Sequence, residues 1–283
     1  MSLLLTDPAL SADEYRLIAD KVYAASRIRL GDDKQALVTG RLAKRLRELK
    51  LETFTEYCAL LASERGTAEM TQLTDLISTN HTNFFREVQH LDFLRDHILP
   101  ELIPVLVRQR QLFRIWSAAS SSGEEAYTMG IVLAEFARQH GAYSWAVEAT
   151  DISTRILAKA KAGVYAADHV RVPEPDMLPR YFQKGTGESE GFYRVKDSLR
   201  AQVTFHHLNL LQPQYPVAAN QHVIFCRNVM IYFDTETQQE LVHKLIRQLA
   251  PGGYLIVGHS ESLLSVKHPL KTLQSGIYQK ASL

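Results

Sequence analysis

Cysteine is nearly missing from this 283-residue chain, and the two that occur, Cys58 and Cys226, lie outside any CxxC or Cys/His spacing. That excludes a disulfide framework and predicts free thiols in a reducing, cytoplasmic setting. No cluster with metal-ligand spacing stands out, so no metal is expected. An excess of one charge is missing too: 32 Lys+Arg face 31 Asp+Glu. Nothing global therefore draws the chain to nucleic acid, and any charge-driven contact must be local. No run approaches the roughly 18 apolar residues that cross a bilayer. Residues 1–10 lack the basic-then-apolar order of a secretion signal. Secretion and direct membrane insertion are not expected. Without heptads or long exposed apolar stretches, a monomer is the expectation.

What is there divides into two patterns. Residues 1–77 read as a small all-helical domain without solenoid repeats. Ser11 with Glu14 forms a capping box ahead of an apolar face of Tyr15, Ile18, Ala19, Val22 and Tyr23. A second helix after Gly31 carries Val38, Leu42, Leu46 and Leu49 on one side and Arg41, Lys44 and Arg47 on the other. Thr53 with Glu56 caps a third helix bearing Phe54, Tyr57, Cys58 and Leu61, and a fourth bears Met70, Leu73, Leu76 and Ile77. Residues 78–110 read as a polar linker followed by connecting helices broken at Pro100 and Pro104.

From 111 to 283 strands and helices alternate, which predicts an α/β domain with a wound parallel sheet. Strands are expected at 112–116, 145–149, 203–208, 223–226 and 254–257, with a last hairpin around Gly276. About 164–202 the alternation stops. There Gly185, Gly187 and Gly191 interrupt Tyr181-Phe182 and the run 192–195, which predicts a small antiparallel insertion.

Ligands of wound sheets sit beyond the carboxyl ends of the strands. After the first strand the sequence holds Ser117-Ala118-Ala119-Ser120-Ser121-Ser122-Gly123-Glu124-Glu125, small enough to admit a ligand to the backbone. Asp151 follows the second strand, where a carboxylate can accept both ribose hydroxyls of an adenosine or simply cap the next helix. Asn209 follows the third and Arg227-Asn228 the fourth. A nicotinamide cofactor would want G-x-G-x-x-G, and Gly123 is alone. Glu124 and Glu125 would repel a pyrophosphate but suit the cationic S-adenosylmethionine (SAM). Pro251-Gly252-Gly253 before a late strand is also a familiar turn in SAM-dependent methyltransferases.

Ordered blocks along nearly the whole chain resemble the chemotaxis receptor methyltransferases, the CheR family. They are Thr79-Asn80-His81-Thr82-Asn83-Phe84-Phe85-Arg86, residues 116–127, Ala149-Thr150-Asp151-Ile152-Ser153, residues 225–234, and Gly258-His259-Ser260-Glu261-Ser262. The resemblance implies a Rossmann-like SAM-dependent methyltransferase domain behind the helical one. It implies a SAM pocket of Asn80, Thr82, Arg86, Glu124, Asp151, Asn209, Leu210, Arg227 and Asn228, with Arg86 and Tyr232 nearest the reacting groups. It implies that the helix carrying Arg41, Lys44, Arg45 and Arg47 faces the acidic coiled coil of a chemoreceptor, although such a face is as often merely solvated. Lys184-Gly185-Thr186-Gly187 resembles the loop by which some members take up a receptor's C-terminal peptide as an added strand, while turn geometry alone also explains the glycines Gly185 and Gly187. The chain departs from the family at Ala126 and Thr128, where proline and serine are common, and at Ser120-Ser121-Ser122, often Cys-Ser-Thr or Ala-Ser-Thr.

The implied reaction turns SAM into S-adenosylhomocysteine and a glutamate into its methyl ester, for sensory adaptation. Its nucleophile is already ionised at neutral pH, so no strong base is required. His81 and His259 flank motifs but have no necessary task there. The alternative is a regulatory protein that binds SAM or another nucleotide with little turnover. A third reading is an enzyme acting on a small molecule or a non-receptor protein.

Overall fold

The computed structural model describes residues 8–282. Most of the N-terminal stretch in which no leader is expected therefore lies outside the described residues. The chain divides into two compact units. One runs to Thr79 and includes Tyr232–Asp234, and the other comprises the rest.

The helical unit contains α1 (Ala12–Ser26), α2 (Gln35–Leu49), α3 (Phe54–Ala62) and α4 (Gly66–Ile77). Both expected capping boxes form, with Ser11 and Thr53 each accepting from the backbone three residues on. The apolar faces meet in one core that includes Ile18, Val22, Val38, Leu42, Leu46, Phe54, Tyr57 and Leu73. Within it lies a charge the spacing did not foretell. Glu69 is 5% exposed and accepts from Arg45 Nε and Nη2, at 3.0 and 2.6 Å, and from the Tyr57 hydroxyl at 2.9 Å. Burial first, then the Glu69 charge, pushes the Tyr57 pKa far up, so the phenol remains a donor. Arg45 is thus a core tie of its own unit. Arg41 is anchored as well, on the carbonyl of Ile77. Lys44, by contrast, projects with its side chain 78% exposed, and Arg47 is exposed.

Glu69→Ala would leave a part-buried guanidinium and a buried phenol without their acceptor. The expected cost is about 3 kcal/mol, read as a lower urea midpoint at unchanged slope, with Glu69→Gln losing roughly half as much.

The second unit opens with α5 (Val88–Phe93), a π-helical turn (Leu94–Ile98) and α6 (Leu99–Arg108), which follow one another without a break. The prolines do not break this segment as expected. The turn widens so that the Leu99 N–H reaches the Leu94 carbonyl, and Pro100 then sits in the first turn of α6, where a missing N–H costs little. Pro104 lies inside the helix.

The main sheet uses β1 (Phe113–Ala118), β2 (Trp145–Asp151), β6 (Val203–His207), β7 (Gln221–Cys226), β8 (Leu249–Val257), β9 (Lys271–Gln274) and β10 (Ile277–Gln279). Their order is β6-β2-β1-β7-β8-β10-β9. The first five are parallel, and β10 and β9 close the edge antiparallel. Between strands run α7 (Glu124–His140), α8 (Thr154–Ala162) and α11 (Thr235–Gln248). Trp116, Phe113, Ile115, Val147, Val223, Phe225 and Ile256 are fully enclosed, as strands covered on both faces require. The expected strands exist, several of them longer than the apolar runs that announced them. Because β2 lies on one side of β1 and β7 on the other, the order reverses at β1, and the crevice opens beyond its carboxyl end.

The insertion is a three-stranded antiparallel sheet, β3-β5-β4, built from β3 (Val164–Ala166), β4 (Phe182–Lys184) and β5 (Phe192–Val195). The sequence reading found β4 and β5 but not β3, whose three residues directly follow the left-handed Gly163 that ends α8. Short helices α9 (Met177–Tyr181) and α10 (Asp197–Arg200) flank it.

Candidate cofactor and acceptor site

The loop after β1 is bent by backbone geometry that few residues accept. Ala119, Ser121 and Gly123 have φ of 73, 50 and 96°. A Cβ on Gly123 would lie 2.9 Å from the Ala160 Cβ and 3.1 Å from the Tyr165 hydroxyl, so glycine is what lets the loop close against α8. The Ser120 and Ser121 amides donate to the Thr150 carbonyl and the Asp151 carboxylate, both at 2.8 Å. Asp151 accepts the Ser153 N–H at 2.9 Å on its other oxygen. It therefore fixes the first loop, the second strand end and the start of α8 together, at the strand end where a carboxylate can accept ribose hydroxyls. The Leu208 N–H donates to the Asp151 carbonyl at 2.9 Å. That holds the turn after β6, where Asn209 accepts the Leu211 N–H at 3.0 Å and Leu210 is buried.

Asn80 joins these loops, since the Ser121 hydroxyl donates to its carbonyl at 3.0 Å. Glu124, 5% exposed, starts α7 and accepts the Ser122 hydroxyl at 2.6 Å. Burial raises its pKa, with the Ser122 bond opposing. The Ser120 hydroxyl is buried without a partner in the protein. A nucleoside carrying a cation fits this set of groups: two buried carboxylates, the Ser120 hydroxyl without a protein partner, and a turn of small residues at the strand end.

Arg86 stands between two strained residues, Phe85 at φ 55° and Glu87 at φ 53°. Its guanidinium donates to the His81 carbonyl at 3.0 Å. Three anchors hold the segment. The Phe85 N–H donates to the Thr128 hydroxyl at 3.2 Å, and that hydroxyl donates to the Glu124 carbonyl at 2.6 Å. Phe84 packs edge-on against Tyr165 and Phe182, with centroids 5.0 and 5.3 Å apart. The Arg86 carbonyl accepts from Arg227 at 3.0 Å. Thr128, one of the departures from the family pattern, thus supplies the hydroxyl that a serine would.

Arg227, 6% exposed, engages the protein through Nε and Nη1. Nε donates to Glu125 at 2.7 Å, and Glu125 also accepts the Ser117 hydroxyl at 2.6 Å. Nη1 meets Glu87 at 3.4 Å and His90 Nδ1 at 3.2 Å. His90 is held neutral, its pKa lowered to about 4 by burial and then by Arg227. Glu87, His90 and His259 bring ligand atoms within 4.8 Å of one another. The sequence reading did not find this cluster, and the guanidinium already engages the carboxylate and the imidazole that a cation would need. His259 stacks on His90 at 4.6 Å, a packing role. Asn228, with φ 58°, donates its side-chain N–H to Glu87 at 3.2 Å. Thr82 is half-buried. Asn80, Thr82, Arg86, Glu124, Asp151, Asn209, Leu210, Arg227 and Asn228 all belong to the α/β unit, whereas Tyr232 belongs to the helical one, where its carbonyl accepts the Arg29 N–H at 3.0 Å. The sequence does not mark Glu87 or Thr128 as site builders, shows Glu125 only as a charge beside the loop, and shows Glu261 only within a motif. Each acts through hydrogen bonds to distant segments, which no local spacing announces.

A wound parallel sheet with this crevice and these carboxylates defines a nucleoside-cofactor domain of the methyltransferase kind. The all-alpha domain of CheR methyltransferases matches residues 13–78, and the SAM binding domain of CheR methyltransferases matches residues 80–279. The chain belongs to the CheR methyltransferase family and is a SAM-dependent methyltransferase. It is 41% identical over 254 residues to a chemotaxis protein methyltransferase of Escherichia coli, covering 90% of this chain and 86% of that one. It is 40% identical to that of Salmonella typhimurium, covering 90% and 85%. It is 36% identical to chemotaxis protein methyltransferase 2 of Pseudomonas aeruginosa, covering 95% and 93%.

Because burial raises the Glu124 pKa, the carboxyl takes up its proton at a higher pH than a free glutamic acid, and the neutral form has no attraction for a cation. SAM affinity is expected to fall as pH is lowered toward the acid range, beginning at a higher pH than a free glutamic acid would give. In Glu124→Gln the affinity should be weaker at neutral pH and flat as pH is lowered, with wild type approaching it in acid, as measured by calorimetry.

Proposed function

We propose that this protein methylates glutamate side chains on the cytoplasmic coiled coil of chemoreceptors, forming methyl esters that adapt a sensory pathway. The observation that carries the reading is the fixing of Arg86, on a strained turn tied to both Thr128 and Arg227, beside a crevice with two buried carboxylates. SAM supplies a methyl group activated by a sulfonium. The reaction makes an oxygen–carbon bond and breaks a sulfur–carbon bond, the pair stays on sulfur, and no proton moves. What the chain must provide is orientation and removal of water. Arg86 has donors to spare beyond His81 and can hold one oxygen of the acceptor carboxylate. Too tight a grip would stabilise the ground state, so its role is positioning.

The acidic partner is read on two surfaces. Lys44 and Arg47 present charge on α2, whereas Arg45 and Arg41 act chiefly by fixing that helix. In the insertion β4 is an edge strand, and a 230 Å³ cavity spans the small sheet from Val164 of β3 across Arg194 of β5 to Gln183 and Lys184 of β4, reaching Gly185 and Thr186. A Cβ on Gly185 would meet the Ser189 carbonyl at 2.0 Å, and Gly187 has φ 59°, so both glycines are required by the loop that flanks this edge. That supports strand addition by a receptor's C-terminal peptide. Among the described residues no helix is long and apolar enough to cross a membrane. A monomer working in the cytoplasm is part of the same reading. Retention of the Thr128 hydrogen bonds weighs against a regulatory binder without turnover.

The test incubates the purified chain with methyl-labelled SAM and membranes bearing chemoreceptors, then collects methanol released by mild alkali. Label should be released from wild type and fall by more than about tenfold with Arg86→Ala. Binding of SAM with no base-labile label on receptors would sink the reading in favour of the binder.

A further inference from the structure

The turn after β7 is held by a carboxylate that nothing so far has used. Glu261 is 6% exposed, and its two oxygens accept four backbone N–H groups. Oε2 receives Asn228 and Gly258, each at 2.7 Å, and Oε1 receives Val229 at 2.9 Å and Met230 at 2.7 Å. Three of the amides are consecutive and begin at the left-handed Asn228, the geometry of an anion-binding backbone nest. The approach is closed to any residue but glycine at 258. A Cβ there would lie 2.7 Å from the Asn228 side-chain nitrogen and 2.8 Å from Glu261 Oε2. The same glycine therefore brings the end of β8 against both groups.

We propose that Glu261 is a positioning residue of the cofactor pocket: its carboxylate fills the amide nest and so fixes the Asn228 turn in its ligand-binding geometry. This rests on the reading of Asn228 as part of the SAM pocket. The nest also sits at the carboxyl end of a central strand of an enzyme whose acceptor is itself a carboxylate. An unfilled nest would offer that acceptor four donors in the wrong place, so the built-in anion keeps the turn from competing with Arg86 for the substrate.

Because each oxygen serves two donors, Glu261→Gln must set an amide NH2 against two N–H groups, while Glu261→Ala empties the nest. The experiment measures SAM affinity by calorimetry in wild type and both variants, with and without added formate, alongside circular dichroism and thermal unfolding. Both variants should be folded and bind SAM at least about tenfold more weakly. Formate, a carboxylate of the right size, should restore affinity in Glu261→Ala and not in Glu261→Gln. Affinities within about threefold of wild type, or a loss in Glu261→Ala that formate does not recover, would overturn the proposal. The readout needs no receptor. Failure of wild type to label receptors would refute the substrate reading while leaving this result standing, and the reverse also holds.

Discussion

The guanidinium of Arg227 is the point on which the α/β unit's chemistry turns. It lies at the end of β7, away from water, and joins Glu125 at the start of α7 to the Arg86 carbonyl and to Glu87. A buried charge of this kind is costly to form and more costly to break, because removing one partner strands the others. Its effect is geometric. The segment that carries Arg86 has two residues in a backbone region that side chains disfavour, and it persists only because the strand end, the helix start and the linker are bound to the same group. Specificity of conformation, more than net stability, is what such a network supplies.

Two anions play matching parts on either side of it. Asp151 gathers the amides of the loop after β1 and of the start of α8, and Glu261 gathers those of the turn after β7. Each uses side-chain oxygens to organise backbone that has left the sheet ladder. Loops at a strand end are thereby made nearly as fixed as the strands, and a site intended to orient two reactants needs that rigidity.

Much of this architecture was legible in the sequence. Capping boxes, helical periodicity and short β-branched runs announced the elements because they depend on neighbours within a few residues. The crevice was legible because strand ends with Ser120, Asp151 and Asn209 are unusually small and polar. What was not legible depends on partners far apart in the chain. Arg45 reads as a surface charge until Glu69, on another helix, is seen beneath it. Arg227 reads as a cofactor-pocket residue, and nothing local announces that it also joins Glu125 to the Arg86 carbonyl. Pro100 reads as a helix end, yet a π turn ahead of it absorbs the missing donor. β3 is too short to show a period at all.

Cys226 closes β7 with no exposed surface, and burial, followed by the nearby charges of Glu261 and Glu125, pushes its thiol well above the ordinary range. A thiol that is both shielded and kept protonated is a poor nucleophile toward alkylating reagents and peroxide. Covalent damage at the strand that carries the turn must wait for that strand to open. The sulfur is accordingly a silent marker: its modification records how often the centre of the sheet comes apart, independently of whether any methyl group has moved.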